Sequence, residues 1–184
     1  MDAPLTAGPY LLAGGGWFAA ASVAIGLADV GVIALTREQV MWPSLLAAAI
    51  GFAASLALLL RRDAARAETN TNKAVGAAWT AAGIGIFLYF VALQLVVWCT
   101  GSPAFLNSMF LVVLLLYGTA WLVSARVAGK RWMYGVVGLT VISLLGVAAT
   151  IQTPATWLVY AAALLLIGVA PGAYLVHLAR AARG

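Results

Sequence analysis

AVGAAWTAAGIGIFLYFVALQLVVWCTGSPAFLNSMFLVVLLLYGTAWLVSA, residues 74–125, decides the fold. It lies between Lys73 and Arg126 and holds 52 residues without one charged side chain. As a single helix it would run about 78 Å at 1.5 Å per residue, against a bilayer hydrocarbon core of roughly 30 Å. The run therefore folds back on itself. Cys99-Thr-Gly-Ser-Pro103 marks the turn, because Gly and Pro punctuate helices. The 48 residues from Trp132 to Ala179 divide in the same way at Thr150-Ile-Gln-Thr-Pro154. Gln39–Leu60 makes one further span and Tyr10–Leu35 another, the latter with Asp29 as its single charge.

The sequence thus predicts an all-α integral membrane protein with one transmembrane domain over residues 1–184. Its six transmembrane helices are expected at about 10–35, 40–60, 75–98, 104–126, 132–150 and 155–178, forming a bundle of three helical hairpins. Composition agrees: 65% of residues are hydrophobic, 8% are charged and the mean hydropathy is +1.05. A soluble domain carries about 25% charged residues, so a water-facing surface is excluded.

Ten Lys and Arg face five Asp and Glu. In this setting the excess reports orientation and not nucleic-acid binding. Arg61, Arg62, Arg66 and Lys73, then Arg126, Lys130 and Arg131, then Arg180 and Arg183, fall on one face of the expected bundle. Arg37 alone falls on the other. The positive-inside rule makes the basic face cytoplasmic and predicts both termini inside, in a multi-pass protein of a bacterial cytoplasmic membrane. The N-terminal segment lacks the positive start of a cleaved signal peptide, so the first helix is expected to persist. Trp42, Trp98, Trp121, Trp132 and Trp157 fall near expected helix ends, where amphipathic rings favour the headgroup region.

One Cys and one His cannot build a disulfide framework, a multi-ligand zinc site or bis-histidine haem. No metal or cofactor is expected. No Lys lies within a span, and no phosphate-loop, dinucleotide or HExxH motif occurs. One His, one Cys and one embedded carboxylate do not make a triad or an acid/base pair, so an enzyme is not expected. Cys99 has no resolving partner, and His177 lies at the end of the last helix beside Arg180.

Asp29 is the outstanding residue. Ionisable groups in transmembrane helices are costly and usually face a cavity, a bundle interior or a partner. Gly15, Ala19, Ser22, Gly26 and Asp29 step by four, three, four and three, so they share a face of small residues suited to close helix contact. Asp29 is expected about 10 Å inside the outer end of its helix. Gln94 and Asn107 flank an outer turn at similar depth, and the three together form the expected solute site. Hydrogen bonding between helices alone is the plainer alternative. Pro171, in Gly168-Val-Ala-Pro171-Gly172, is expected to kink the last helix, as broken helices do at transporter sites and in ordinary packing. Arg61, Arg62, Arg66 and Lys73 line the one substantial loop, which meets lipid headgroups or a partner protein.

Six spans with both termini inside and minimal loops resemble the general plan of several small transport proteins. These include the substrate-binding subunits of energy-coupling-factor transporters and the acetate and urea channel families. The likeness is of topology alone, and no residue role is carried over from it. Two functions follow as expectations. The first is binding or transport of a small solute or ion, proton-linked through Asp29. The second is a regulatory, sensory or assembly subunit that works through helix packing and the 61–73 loop. The expected partners are the bilayer and either a second copy or a membrane or cytoplasmic protein.

Overall fold

Six helices long and apolar enough to cross a membrane make up the chain in a computed structural model that describes residues 7–63 and 69–182. No strand occurs among the described residues. Arg66 and Arg183 lie outside them. The elements are α1 (Gly8–Asp29), α2 (Arg37–Asp63), α3 (Asn70–Thr100), a 3-10 turn (Pro103–Asn107), α4 (Ser108–Ala128) and α5 (Arg131–Thr150). The sixth span, Thr156–Ala181, consists of α6 (Thr156–Leu164), a π-helical turn (Leu165–Val169) and α7 (Ala170–Ala181).

Local chemistry sets the helix ends. α1 stops at Asp29, six residues before the expected Leu35. The cause is Gly31, whose φ of +77° lies in the left-handed region that glycine adopts at little cost. Gly31 N–H bonds Ala28 O at 3.1 Å and Val32 N–H bonds Leu27 O at 2.9 Å, the paired closures of a Schellman motif. Asp29 is therefore the last helical residue and not a residue 10 Å inside the span. α2 begins before the expected residue 40, because Thr36 and Gln39 form a capping box. Thr36 N–H donates to Gln39 Oε1 at 2.9 Å, and Gln39 N–H donates to Thr36 Oγ1 at 3.4 Å. That early start places Pro43 inside the helix. Gly129, at φ +63°, closes α4 in the same left-handed manner as Gly31.

The helices gather into two compact units. The first holds α1, α2, α6 and α7; the second holds α3 from Lys73 onward, α4 and α5. In the first unit α1 is central. On one side it meets α2, where Trp17 lies over Gly51 and Phe18 over Phe52 at 6.2 Å between ring centroids. Trp17 Nε1 donates to Ser55 Oγ at 3.2 Å. On the other side α1 meets the sixth span, antiparallel. Gly8 lies against Gly172, Gly15 against Val169 and Gly26 against Leu158. The backbones approach so closely that a Cβ built on Gly8 would stand 2.9 Å from the Gly172 carbonyl oxygen. Ala19 and Ser22, between those glycines, are buried, and the Ser22 hydroxyl donates back to Phe18 O at 2.8 Å. In the sixth span, Ala170 N–H reaches back five residues to Leu165 O, so the π-turn immediately precedes Pro171.

In the second unit α3 runs antiparallel to α4. Tyr89 Oη and Ser108 Oγ share a hydrogen bond of 2.8 Å near one end, and Gly85 faces Leu116 midway. Toward the other end Trp79 stands edge-on to Tyr117 at 5.2 Å and to Trp121 at 5.4 Å, and Trp121 meets Trp132 of α5 at 5.9 Å. α5 packs on α4, with Gly118 against the Thr140 methyl. Leu114, Ala125, Met133 and Val147 are fully enclosed.

Outward faces are apolar. α2 exposes Trp42, Leu46, Ile50 and Leu58, and α3 exposes Ile84, Phe87, Leu88, Leu95 and Trp98. Water does not tolerate so much contiguous apolar surface, whereas lipid does. The chain is built as a multi-pass membrane protein. Not every tryptophan faces outward, however. Trp42 and Trp98 are exposed, whereas Trp121 lies inside the ring cluster and Trp157 is buried in the first unit. Sequence position gives a ring its depth along the helix but not its direction around it.

Candidate functional site

At one end of the first unit the C-terminus of α1, the N-terminus of α2 and the N-terminus of α6 converge. The Gly31 closure turns the chain out of α1 directly after Asp29, and the Thr36 capping box starts α2 with Arg37 as its first residue. Those two devices bring an acid and a base together across a seven-residue connection. Arg37 Nε lies 3.7 Å from Asp29 Oδ1. The Arg37 guanidinium also sits over the Trp157 ring, 5.9 Å from its centroid, within the range of a cation–π contact. Below it, Thr156 donates its hydroxyl to Thr153 O at 2.8 Å, which closes the first turn of α6.

The two charged side chains differ in access. Asp29 is 9% exposed and Arg37 50% exposed, so the carboxylate lies beneath and the guanidinium opens outward. At 3.7 Å the pair is a salt bridge without a hydrogen bond. Among the described residues, no protein group accepts a hydrogen bond from the Arg37 side chain. Five guanidinium N–H groups in a planar fork are thus held in place by a carboxylate and an indole and left open for another acceptor.

The helix dipoles make the placement unusual. A helix C-terminus carries partial negative charge and an N-terminus partial positive charge, and each favours a side chain of the opposite sign by about 0.3–1 kcal/mol. Asp29 ends α1 and Arg37 begins α2. Each charge stands at the end of its own helix that disfavours it. Glu38, in the first turn of α2, is placed the favourable way round.

Gln94 and Asn107 belong to the second unit and Asp29 to the first. Gln94 is half-buried on α3, and Asn107 is half-buried at the end of the 3-10 turn. The polar contact between these segments is the Tyr89–Ser108 hydrogen bond, and none joins Gln94 to Asn107 among the described residues. Arg61 and Lys73 are exposed at helix ends, and Arg62 lies in the last turn of α2. Cys99 is exposed on α3 and His177 is exposed on α7.

From the sequence, Arg37 and Trp157 mark topology and the headgroup level and not a site, and the Thr36–Gln39 box is not read at all. Signals for the box and for the helix stop before it are present. Thr-x-x-Gln before an apolar run is a helix-start pattern, and Gly two residues after Asp29 is a stop. Trp157 comes to the pair only through the antiparallel packing of α6 on α1, which no local pattern encodes.

No protein-family model matches the chain, and neither a curated protein nor a solved structure matches it.

Proposed function

We propose that the chain binds or transports a small solute bearing an anionic group, recognised at the Asp29–Arg37 end of the first unit. One observation carries this: an arginine oriented by a carboxylate and an aromatic ring, with its hydrogen-bond donors open, in a charge arrangement that both helix dipoles oppose. A pair serving stability alone would gain from the reverse order. Arg37 contacts a carboxylate or phosphate of the solute. Asp29 holds Arg37 in register and takes over as its partner when the solute leaves, or receives a proton in exchange. Gln94 and Asn107 are not needed for this role.

In the proposed arrangement the six spans form three successive hairpins with both termini in the cytoplasm of a bacterial cell. Within each unit taken alone, the basic residues other than Arg37 that are among the described residues collect at one end, which supports that orientation. Arg37 then faces outside, the chain performs no enzymatic reaction, and the lipid bilayer is its first partner.

A regulatory, sensory or assembly subunit is the second possibility, favoured by α2. The chain buries almost none of that helix, and Trp42, Leu46 and Ile50 repeat every fourth residue along its exposed face, which suits a helix of a second copy or another membrane protein. One experiment separates the two. Thermal unfolding of the purified protein is followed against a panel of small mono- and dicarboxylates, phosphate and amino acids. A solute is expected to raise the midpoint for the native chain and not for Arg37→Gln, with Asp29→Asn weakening the effect. If no member of the panel shifts the native protein, and it copurifies as a complex that Leu46→Ala/Ile50→Ala disrupts, the solute role fails and the subunit role stands.

A further inference from the structure

The second unit contains Lys73, Arg126, Lys130 and Arg131, and no Asp or Glu occurs between residues 73 and 152. All four cations are exposed. They also occupy one end of the unit. Because α3 and α4 are antiparallel, Lys73, six residues before Trp79, and Arg126, five residues after Trp121, extend in the same direction from the aromatic cluster. At 1.5 Å per residue they lie about 9 Å and 7.5 Å beyond it along the helix axes. Arg131 adjoins Trp132, whose ring touches Trp121, and Lys130 precedes it at the start of α5.

Lys73 and Arg126 stand one to two turns beyond the enclosed ring cluster, and Lys130 and Arg131 begin α5 beside it. Four exposed cations thus share one end of an apolar unit, where Lys and Arg meet lipid phosphates. Three of the four cations fall within six residues across the short α4–α5 turn, and the fourth comes from α3. A single phosphate engages one or two of them. A headgroup with two phosphates engages cations from more than one helix at once, and its acyl chains lie along the apolar faces of the same helices. We infer that the basic end of the second unit is a binding site for an anionic phospholipid, selective for a headgroup carrying two phosphates. It concerns the second unit alone and is independent of the solute role of Asp29 and Arg37.

The full-length protein is reconstituted in phosphatidylcholine vesicles, and its thermal unfolding is followed by circular dichroism. A small mole fraction of cardiolipin is expected to raise the midpoint by several degrees, and phosphatidylglycerol at equal total phosphate by clearly less. Inorganic phosphate in solution is expected to leave it unchanged. Arg126→Gln/Arg131→Gln should lose the cardiolipin gain, whereas Arg61→Gln/Arg180→Gln, at the basic end of the first unit, should keep it. If the first variant does not fold, salt on the native protein serves instead, because rising ionic strength should erase the cardiolipin gain. Equal gains from the two anionic lipids would overturn the two-phosphate selectivity. A gain from free phosphate, a gain retained in Arg126→Gln/Arg131→Gln, a gain lost equally in both variants or a gain indifferent to salt would overturn the site. So would the absence of any lipid gain, the result expected if an acidic protein occupied these cations.

Discussion

The two units use glycine differently. In the first, Gly8, Gly15, Gly26 and Gly172 stand where a Cβ would press on the backbone of a neighbouring helix and Gly51 where it would press on the Trp17 ring, while Gly16 faces open space. In the second, Gly85 and Gly118 meet only the side chains of Leu116 and Thr140, and Gly76, Gly83, Gly135 and Gly138 face open space. The first unit is therefore held by backbones in close approach, the mode by which membrane helices associate without a hydrophobic driving force between them. The second relies on large side chains: the Trp79, Tyr117, Trp121 and Trp132 rings and the enclosed Leu114 and Met133. Close approach brings three helix ends together tightly enough to orient Arg37. Ring packing builds a broad aromatic cluster inside the second unit.

The largest effect should come from forcing the close approach apart. Gly172→Leu sets a bulky side chain against the Gly8 carbonyl oxygen, and overpacking of this kind costs about 1–3 kcal/mol or more. Gly135→Leu, in open space, should cost little. Reversible unfolding in mixed detergent micelles measures both, and equal losses would erase the distinction between the units. A smaller effect of opposite sign is expected from alanine. Gly83→Ala and Gly138→Ala should each stabilise the second unit by roughly 0.5 kcal/mol, as alanine does in place of glycine in a helix. Gly51→Ala should destabilise the first, because its Cβ would stand 2.5 Å from the Trp17 ring.

The smallest contrast is between two tryptophans that open similar segments, Trp17-Phe-Ala-Ala-Ala and Trp79-Thr-Ala-Ala-Gly. Each packs on the following helix. Trp17 Nε1 donates to Ser55, whereas Trp79 Nε1 is buried with no hydrogen-bond partner among the described residues. Trp17→Phe should cost about 0.6–1 kcal/mol for the lost hydrogen bond beyond the loss of ring area. Trp79→Phe, which removes an unsatisfied donor, should fall short of that loss in the same unfolding measurement.

The six spans were legible because a charge-free run longer than a bilayer has to turn, and lipid accepts nothing but closed backbone hydrogen bonding. Tyr10–Leu35 shows where that logic thins. Val32, Ile33 and Leu35 continue the apolar run past Asp29, so hydropathy alone carries the helix onward, while the stop resides in Gly31. The error moved Asp29 from a helix end into the span and hid its neighbour Arg37. Equal depth is what groups Asp29, Gln94 and Asn107 in the sequence; Asp29 lies in the first unit and Gln94 and Asn107 in the second. The small-residue face of α1 could be read because close approach constrains residue size directly, and Gly15 and Gly26 of that face lie against Val169 and Leu158.

The central claim is that the Asp29–Arg37 pair is ordered for what it binds and not for helix stability. Asp29→Arg/Arg37→Asp tests it with no change in composition or in the count of basic residues outside. The exchange places a cation at the C-terminus of α1 and an anion at the N-terminus of α2, each then favoured by about 0.3–1 kcal/mol. Thermal unfolding of the exchanged and native proteins, with and without the solute that stabilises the native chain, is the deciding measurement. The exchanged protein is expected to melt at or above the native midpoint and to lose the solute-dependent shift. An exchanged protein that melts lower than the native one, or that keeps the full solute shift, would contradict it.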